Sequence, residues 1–152
     1  MAKEGIFNII TNDFFLENLS ILDLFSGTGN ISYEFSSRGV KSVVAVDLNY
    51  SCTSFIKSMA AQLGFDQITV VRSDVEKFLN STRSQFSLVY ADPPYDLNNQ
   101  ESIIEKILSS DILESGGWLI WEHDEYHNFS DLPGFEQQRR YGSVNFSIFV
   151  KT

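Results

Sequence analysis

The chain has 152 residues, of which 43% are hydrophobic and 14% aromatic, which is enough for one buried core and predicts a single domain over residues 1–152. Its net charge of −9 argues against tight, indiscriminate binding to a phosphate backbone, which normally requires a basic face. No stretch approaches the roughly 20 apolar residues of a membrane helix, and one cysteine allows neither an internal disulfide nor a structural zinc site, so we expect a cytoplasmic protein without a membrane anchor or a metal.

The first half of the chain alternates short apolar runs with amphipathic stretches, which is typical of a parallel sheet with crossover helices. A helix is predicted over 2–11, and strands are predicted over 21–25, 43–46 and 68–71. The intervening helices are predicted over 29–37 and 50–63, with Gly39 and Gly64 where left-handed caps are expected. The second of these helices should carry its apolar stripe on Ile56, Met59 and Leu63.

The second half continues this alternation and then departs from it. A short helix over 75–79, a strand over 86–90 and a strand over 118–121 are predicted, with an apolar helical face at Ile103, Ile104, Ile107 and Leu108 before the last of them. Apolar and polar residues then alternate over 144–150. Because glycine comes first in Gly142-Ser143, we expect a type II′ turn that joins 135–141 to 144–150 in an antiparallel hairpin.

A glycine-rich segment, DLFSGTGN at residues 23–30, joins the first strand to the next helix. In open parallel sheets ligands bind at the carboxyl ends of the strands, and glycines let the backbone approach a ligand closely. A dinucleotide fingerprint would need glycine at position 32, where this chain has Ser32, so a nicotinamide or flavin cofactor is disfavoured. A turn that binds no ligand is the alternative interpretation.

Two aspartates follow the second and third strands. Asp47 stands where an acidic side chain can accept hydrogen bonds from two ribose hydroxyls, as an adenosine-containing cofactor requires. Asp74 could accept a hydrogen bond from an adenine amino group while Val75 covers the ring. Asp74 could equally cap the following helix, and the two roles are compatible.

Asp92-Pro93-Pro94-Tyr95 follows the fourth strand directly. Two prolines stiffen the backbone and remove two N–H donors, so the segment presents mainly acceptors, the Asp92 carboxylate and the Pro93 carbonyl. Such acceptors can hold an aryl amine so that its lone pair faces an electrophilic methyl group, and Tyr95 can stack on a flipped-out base. A plain loop is the alternative interpretation.

Some charged residues support weaker hypotheses. His123 and His127 are flanked by acidic residues, and we interpret them as part of a solvated loop in preference to a metal site. Lys41 and the pair Arg139-Arg140 are the best candidates for phosphate contacts, although the arginines could simply be a solvated strand end.

The segments DLFSGTGN, AVDLN, SDVEKFL and ADPPY resemble motifs of the class I S-adenosylmethionine methyltransferases that modify amino nitrogens. Residues 2–8, 37–39 and 140–142 narrow the resemblance to the RsmD family of bacterial small-subunit rRNA (guanine-N2)-methyltransferases. The similarity covers nearly the whole chain. ADPPY is shared with adenine and cytosine amino methyltransferases, so it is specific for the reaction and not for the base.

The resemblance implies a Rossmann-like α/β fold, a seven-stranded, mostly parallel sheet with an antiparallel C-terminal hairpin. It implies methyl transfer from S-adenosyl-L-methionine to the exocyclic N2 of a guanine in 16S rRNA of the small ribosomal subunit. We expect the protein to be a monomer. The implied catalytic residues are Asp92, Pro93, Pro94 and Tyr95. The implied cofactor-binding residues are Asp23, Phe25, Ser26, Gly27, Thr28, Gly29, Asp47, Leu48, Asp74 and Val75.

The resemblance also leaves alternatives open. Members of the family normally carry a basic N-terminal arm before the helix that contains Lys3 and Glu4, and we expect this arm to be absent here and RNA affinity to be reduced accordingly. An adenine-N6 or cytosine-N4 methyltransferase acting on DNA or RNA would use the same chemistry. A non-catalytic nucleotide-binding module of the same fold is the third possibility.

Overall fold

The computed structural model describes residues 2–152 and contains five α-helices and seven strands within that range. The helices are α1 (Ala2–Asp13), α2 (Asn30–Ser37), α3 (Tyr50–Leu63), α4 (Val75–Ser81) and α5 (Gln100–Ser109). The strands are β1 (Ser20–Leu24), β2 (Ser42–Asp47), β3 (Ile68–Arg72), β4 (Phe86–Ala91), β5 (Leu113–His123), β6 (Phe135–Tyr141) and β7 (Val144–Val150). Every predicted element is present, and most bounds agree to within two residues.

The strands form one seven-stranded sheet in the order β3-β2-β1-β4-β5-β7-β6. The first five strands pair in parallel, and β7 is antiparallel to both β5 and β6. The predicted mostly parallel sheet with an antiparallel C-terminal hairpin is therefore confirmed. The strand order reverses between β1 and β4, which is where an open α/β sheet offers a ligand crevice.

Both faces of the sheet are covered by helices. Helices α4 and α5 pack on the face that carries Leu24, Ala91 and Trp121. Helices α1 and α2 pack on the other face, where the Phe7 and Phe35 rings lie 4.6 Å apart. Burial on both sides explains why β1 and β4 are apolar runs without alternation.

Strand β5 is longer than the predicted 118–121, because it begins at Leu113 and passes through a register irregularity opposite β4. Gly116 has φ +82°, and a Cβ on Gly117 would lie 2.7 Å from the Ser87 carbonyl oxygen. The Glu-Ser-Gly-Gly stretch at 114–117 resembles a turn in sequence, which is why the predicted strand starts too late. A bulged strand uses glycines in the same way as a turn.

The C-terminal hairpin has the predicted bounds, and Gly142 has φ +65° whereas Ser143 is not left-handed, as a type II′ turn requires. However, β7 lies between β5 and β6, and side chains on both of its faces are buried. Its alternation of apolar and polar residues therefore does not separate buried from exposed positions. Phe146 and Phe149, for example, are buried on opposite faces of the sheet.

Two further features concern the helices. The stripe predicted for α3 is wrong at its end, because Leu63 is 50% exposed while Ile56 and Ala60 are buried. Within residues 2–152, no helix combines the length and the apolar character needed to cross a membrane.

Candidate functional site

The candidate site lies at the carboxyl edge of the parallel strands. One row of paired residues runs across the sheet there, from Val46 in β2 through Leu24 and Ala91 to Trp121 in β5. The residues that follow this row emerge side by side at the same edge of the sheet, and three of them are acidic, Asp47, Asp92 and Glu122.

The glycine-rich turn after β1 folds back onto β2. Both the amide and the hydroxyl of Ser26 donate to the Val46 carbonyl, at 3.0 and 3.1 Å. Phe25 has φ +56°, the only left-handed non-glycine residue within 2–152, and Gly29 has φ +91° at the start of α2. A Cβ on Gly29 would lie 2.8 Å from the Tyr33 ring, so only glycine fits there. Gly27 instead faces open space, which leaves its backbone accessible.

Asp47 is oriented by backbone donors. Its Oδ1 accepts the Gly27 N–H at 3.1 Å and its Oδ2 accepts the Asn49 N–H at 3.0 Å. Each carboxylate oxygen has a second lone pair. The side chain is therefore fixed in place and can still accept hydrogen bonds from two further donors.

Asp74 caps α4, since its Oδ2 accepts the Lys77 N–H at 3.1 Å. The capping role considered from the sequence is thus present. Within residues 2–152 no donor reaches its Oδ1, which leaves the second role available as well.

A pocket of about 410 Å³ opens between the turn, the end of β2, the start of α4 and the segment after β4. Its lining is mostly apolar, with two carboxylates. The lining residues are Phe25, Asp47, Leu48, Asn49, Asp74, Val75, Pro94 and Leu97. Five of the predicted cofactor-binding residues and one predicted catalytic residue thus share a pocket, while Asn49 and Leu97 were not predicted. The predicted Ser26, Gly27, Thr28 and Gly29 form the adjoining turn without lining the pocket itself.

Asp23 lies behind the turn, away from the pocket wall. Its side chain is 2% exposed, and its Oδ2 accepts a hydrogen bond from the Ser32 hydroxyl at 2.7 Å. Burial raises the pKa of Asp23 to about 7, the Ser32 hydrogen bond opposes that shift, and the nearby charge of Asp92 adds to it. Ser32 therefore supports Asp23 at the position where a dinucleotide fingerprint has its third glycine.

The segment after β4 is held by hydrogen bonds from α5, which are supported in turn by β5. The Gln100 Nε2 donates to the Tyr95 and Leu97 carbonyls, each at 3.2 Å. The Trp121 indole N–H donates to Gln100 Oε1 at 2.9 Å. Because Gln100 and Trp121 are buried, they hold the proline segment in one conformation while Asp92 and Tyr95 stay exposed at the rim.

Acidic groups converge on this rim. The pKa of Asp92 is raised to about 7, first by desolvation of its carboxyl group and then by the charge of Glu122. Burial raises the pKa of Glu122, although the hydrogen bond that it accepts from the Tyr90 hydroxyl at 2.8 Å lowers it. Desolvation also raises the pKa of the Tyr95 phenol, with further contributions from Glu122 and Asp92.

The solvated-loop interpretation is wrong for His123. This residue ends β5, is 1% exposed, and its Nδ1–H donates to the Asp124 carbonyl at 2.7 Å while its Nε2 accepts from Ser147 at 2.8 Å. Burial lowers the pKa of His123, which favours this neutral tautomer. His127 does lie on a loop, half-buried, with its Nδ1 2.7 Å from an Asp124 carboxylate oxygen. No group of three or more potential ligands within residues 2–152 is arranged to hold a metal.

The candidate phosphate-contact residues, Lys41 and the pair Arg139-Arg140, lie at opposite edges of the sheet. Lys41 precedes β2 and is therefore at the opposite edge of the sheet from Asp47. Arg139 and Arg140 are exposed near the end of β6, at the same edge as the site. The Arg140 Nε donates to the Gly142 carbonyl at 2.8 Å.

The sequence interpretation missed several residues of this site, above all Glu122, Tyr90 and Gln100. One signal was available for Glu122, because it follows the predicted fifth strand, 118–121, as Asp92 follows the predicted fourth. For Tyr90 and Gln100 there was none, since both act through partners distant in sequence.

A family model and curated relatives match this chain along nearly its whole length. The family model described as "Conserved hypothetical protein 95" matches residues 1–150. YlbH of Bacillus subtilis (strain 168) is 28% identical over 99% of this chain and 84% of its own length. Ribosomal RNA small subunit methyltransferase D of Buchnera aphidicola is 20% identical over 97% of this chain and 77% of its own length.

Solved structures share the fold. A conserved hypothetical protein from Streptococcus pyogenes superposes with a TM-score of 0.85 at 24% identity, covering 97% of this chain and 94% of its own. Magnesium protoporphyrin IX methyltransferase from Synechocystis PCC 6803, solved with bound S-adenosylmethionine, superposes with a TM-score of 0.77 at 16% identity, covering 98% and 77% respectively.

Proposed function

The chain belongs to the family described as Conserved hypothetical protein 95, that of the RsmD-type class I methyltransferases, and from this premise we propose that it methylates the exocyclic N2 of a guanine in 16S rRNA. The observation that carries the proposal is the position of Asp92-Pro93-Pro94-Tyr95, at the strand-order reversal and on the rim of the pocket. The name of the Buchnera relative supports small-subunit rRNA as the substrate.

The pocket residues fit an adenosine-containing cofactor. Asp47 is already oriented by Gly27 and Asn49, so its free lone pairs can accept from the two ribose hydroxyls. The free Oδ1 of Asp74 can accept from the adenine amino group. Apolar contacts for the ring and the aliphatic part would come from the remaining lining residues, Phe25, Leu48, Val75, Pro94 and Leu97. S-adenosylmethionine supplies an electrophilic methyl group on a sulfonium sulfur.

Asp92 and the Pro93 carbonyl would accept hydrogen bonds from the amine hydrogens. An aryl amine is a poor nucleophile because its lone pair is delocalised into the base, so two fixed acceptors lower the barrier by orienting the nitrogen and stabilising the positive charge that develops on it. As the C–N bond forms, the bond between the methyl carbon and the sulfonium sulfur would break, S-adenosylhomocysteine would leave as a neutral thioether, and a surplus proton would remain on the nitrogen. The Asp92 carboxylate, whose pKa is about 7, can accept that proton near neutral pH.

Tyr95 would provide the stacking surface for the base. Its ring is 48% exposed at the rim, and its backbone carbonyl is held by Gln100. Stacking on an aromatic side chain is the usual support for a base removed from its helix. A non-catalytic module would have no use for this combination of acceptors and stacking surface.

The test supplies labelled S-adenosylmethionine and small-subunit RNA, both as a naked transcript and as a reconstituted particle, and identifies the methylated nucleoside by mass spectrometry. We expect N2-methylguanosine from at least one substrate form. Asp92→Ala should abolish transfer and leave cofactor affinity within about threefold, since its acceptor faces the amine. Asp96→Ala, an exposed change in the same loop, should leave both unchanged.

N6-methyladenosine or N4-methylcytidine as the product would contradict the assignment to guanine. Absence of methylation on both substrate forms, with the cofactor bound, would contradict the proposed function itself.

A further inference from the structure

Asp92 and Glu122 occupy equivalent positions on neighbouring strands. Ala91 of β4 pairs with Trp121 of β5, and the residue that follows each of them in the chain is an acid. Adjacent strands are about 4.8 Å apart, which brings the two carboxylates to the same part of the rim. Two like charges so placed disfavour each other's ionisation, which costs free energy.

Glu122 is fixed in orientation with one oxygen free. The Tyr90 hydroxyl donates to its Oε2 at 2.8 Å, and Tyr90 is itself only 2% exposed. No other donor within residues 2–152 reaches Glu122, so Oε1 remains available. The side chain is only partly buried, and an incoming group can therefore reach this oxygen from the rim.

The bases that carry an exocyclic amine differ in the atom beside it. Guanine has N1–H next to its N2 amino group, and so presents two adjacent donors. Adenine and cytosine have an unprotonated ring nitrogen, an acceptor, next to the amino group. A second carboxylate beside the acceptor for the amine is therefore complementary to guanine and faces the lone pair of adenine or cytosine.

We propose that Glu122 selects the base by accepting a hydrogen bond from guanine N1–H through its Oε1 while Asp92 accepts from the N2 amino group. This inference rests on the proposed function and names the residue that determines its base specificity. Tyr90 serves as a positioning residue, since its hydroxyl occupies Oε2 and directs Oε1 to the base.

The experiment replaces the mapped target guanine in the small-subunit RNA by 2-aminopurine. This base keeps the 2-amino group but has an unprotonated N1, so it tests the contact to N1 without removing the reacting nitrogen. We expect the wild-type kcat/KM to be about 10- to 100-fold higher for guanine than for 2-aminopurine, which is the range for one hydrogen bond to a charged group.

Glu122→Gln should reduce this preference about tenfold or more. Tyr90 can donate to the glutamine oxygen, which leaves the amide NH₂ to donate to the N1 of 2-aminopurine. Glu125→Gln is the matched control, because Glu125 is an exposed acid of the following loop, and its preference should equal that of the wild type. Calorimetry with S-adenosylhomocysteine verifies that each variant retains the cofactor pocket.

A wild-type ratio near one, or a Glu122→Gln variant that loses activity on both bases equally, would overturn the role of Glu122 in base selection. Should Glu122→Gln fail to fold, Glu122→Asp provides the same test, since its shorter side chain withdraws the acceptor and should also lower the preference. Failure of the proposed function is distinct from these outcomes, because the wild type would then methylate no guanine at all.

Discussion

At the scale of single residues, the acids of the carboxyl edge divide into two groups. Asp47 and Asp74 accept backbone N–H donors, which fixes them as hydrogen-bond acceptors on one side of the pocket. Burial raises the pKa of Asp23 to about 7, and the pKa of Asp92 is raised to about 7 first by desolvation of its carboxyl group and then by the charge of Glu122. Of these two, only Asp92 lies at the rim that would receive the substrate, so the group that changes charge near neutral pH and can meet the substrate is Asp92.

This shift predicts the pH dependence of methyl transfer. Asp92 can take up the surplus amine proton only when it is ionised, and its carboxylate is also a stronger acceptor than its protonated form, so a raised pKa means low activity at pH 6, where it is mostly protonated, and nearly full activity at pH 8. We expect kcat/KM to rise with pH, with a midpoint near 7. Since the charge of Glu122 contributes to the shift, Glu122→Gln should move the midpoint to lower pH.

The measurement is kcat/KM on the mapped RNA between about pH 5.5 and 8.5. Glu125→Gln serves as the control and should retain the wild-type midpoint. An unchanged midpoint in Glu122→Gln would show that its charge does not act on Asp92.

At the scale of secondary-structure elements, two loops form the site, and each is held by a neighbour in the sheet. The turn after β1 is bound to the end of β2 through Ser26 and Asp47. The segment after β4 is bound to α5 and β5 through Gln100 and Trp121. Hydrogen bonds to neighbouring strands and to α5 thus fix two loops that have no regular secondary structure of their own.

Gln100→Ala tests the second of these supports. It removes two hydrogen bonds to the segment and leaves the buried Trp121 N–H without its acceptor, which should destabilise the fold by about 1–3 kcal/mol. Methyl transfer should fall about 10- to 100-fold, because small misplacements of reacting groups are costly. Cofactor affinity should fall less, since Asp47 and Asp74 lie on other loops.

Denaturant unfolding, calorimetry and transfer kinetics measure the three effects separately. Glu101→Ala, an exposed change in the first turn of the same helix, should leave all three near the wild-type values. Equal losses of rate and of cofactor affinity in Gln100→Ala would mean that Gln100 supports the whole pocket and not the catalytic segment alone.

At the scale of the whole molecule, the distribution of charge matters more than its sum. The net charge is −9, yet Arg139 and Arg140 are at the edge that contains the site. Lys41 is at the opposite edge. Strand β6 is three strands from β4, roughly 14 Å, so a polynucleotide with one base at Asp92 can reach the arginines along this edge, whereas Lys41 lies at the other.

The dependence of RNA affinity on salt tests this arrangement. Each phosphate contact contributes about 0.7 to 0.9 to the slope of log affinity against log salt, so replacing both Arg139 and Arg140 by alanine should reduce the slope by about 1.5. Lys41→Ala should leave it unchanged. An equal reduction by Lys41→Ala would place the RNA on another surface.

The sequence by itself determined the elements and the candidate groups at their ends. Apolar periodicity and glycine positions are local properties, so the helices, the hairpin of 135–141 with 144–150 and the left-handed Gly64 were predictable. Asp47 and Asp92 were found because each directly follows an apolar run, and Asp74 because it comes three residues after one; in a parallel sheet such positions meet at one edge.

Only the tertiary structure decided which of these groups are neighbours. Strand order and register depend on pairing between segments far apart in the chain, which local periodicity does not encode. The pairing of β4 with β5 sets Glu122 beside Asp92, and the packing of α2 buries Asp23 against Ser32. The same long-range pairing buried His123 in a strand against Ser147, because position in the sheet, and not residue type, determines what a side chain meets.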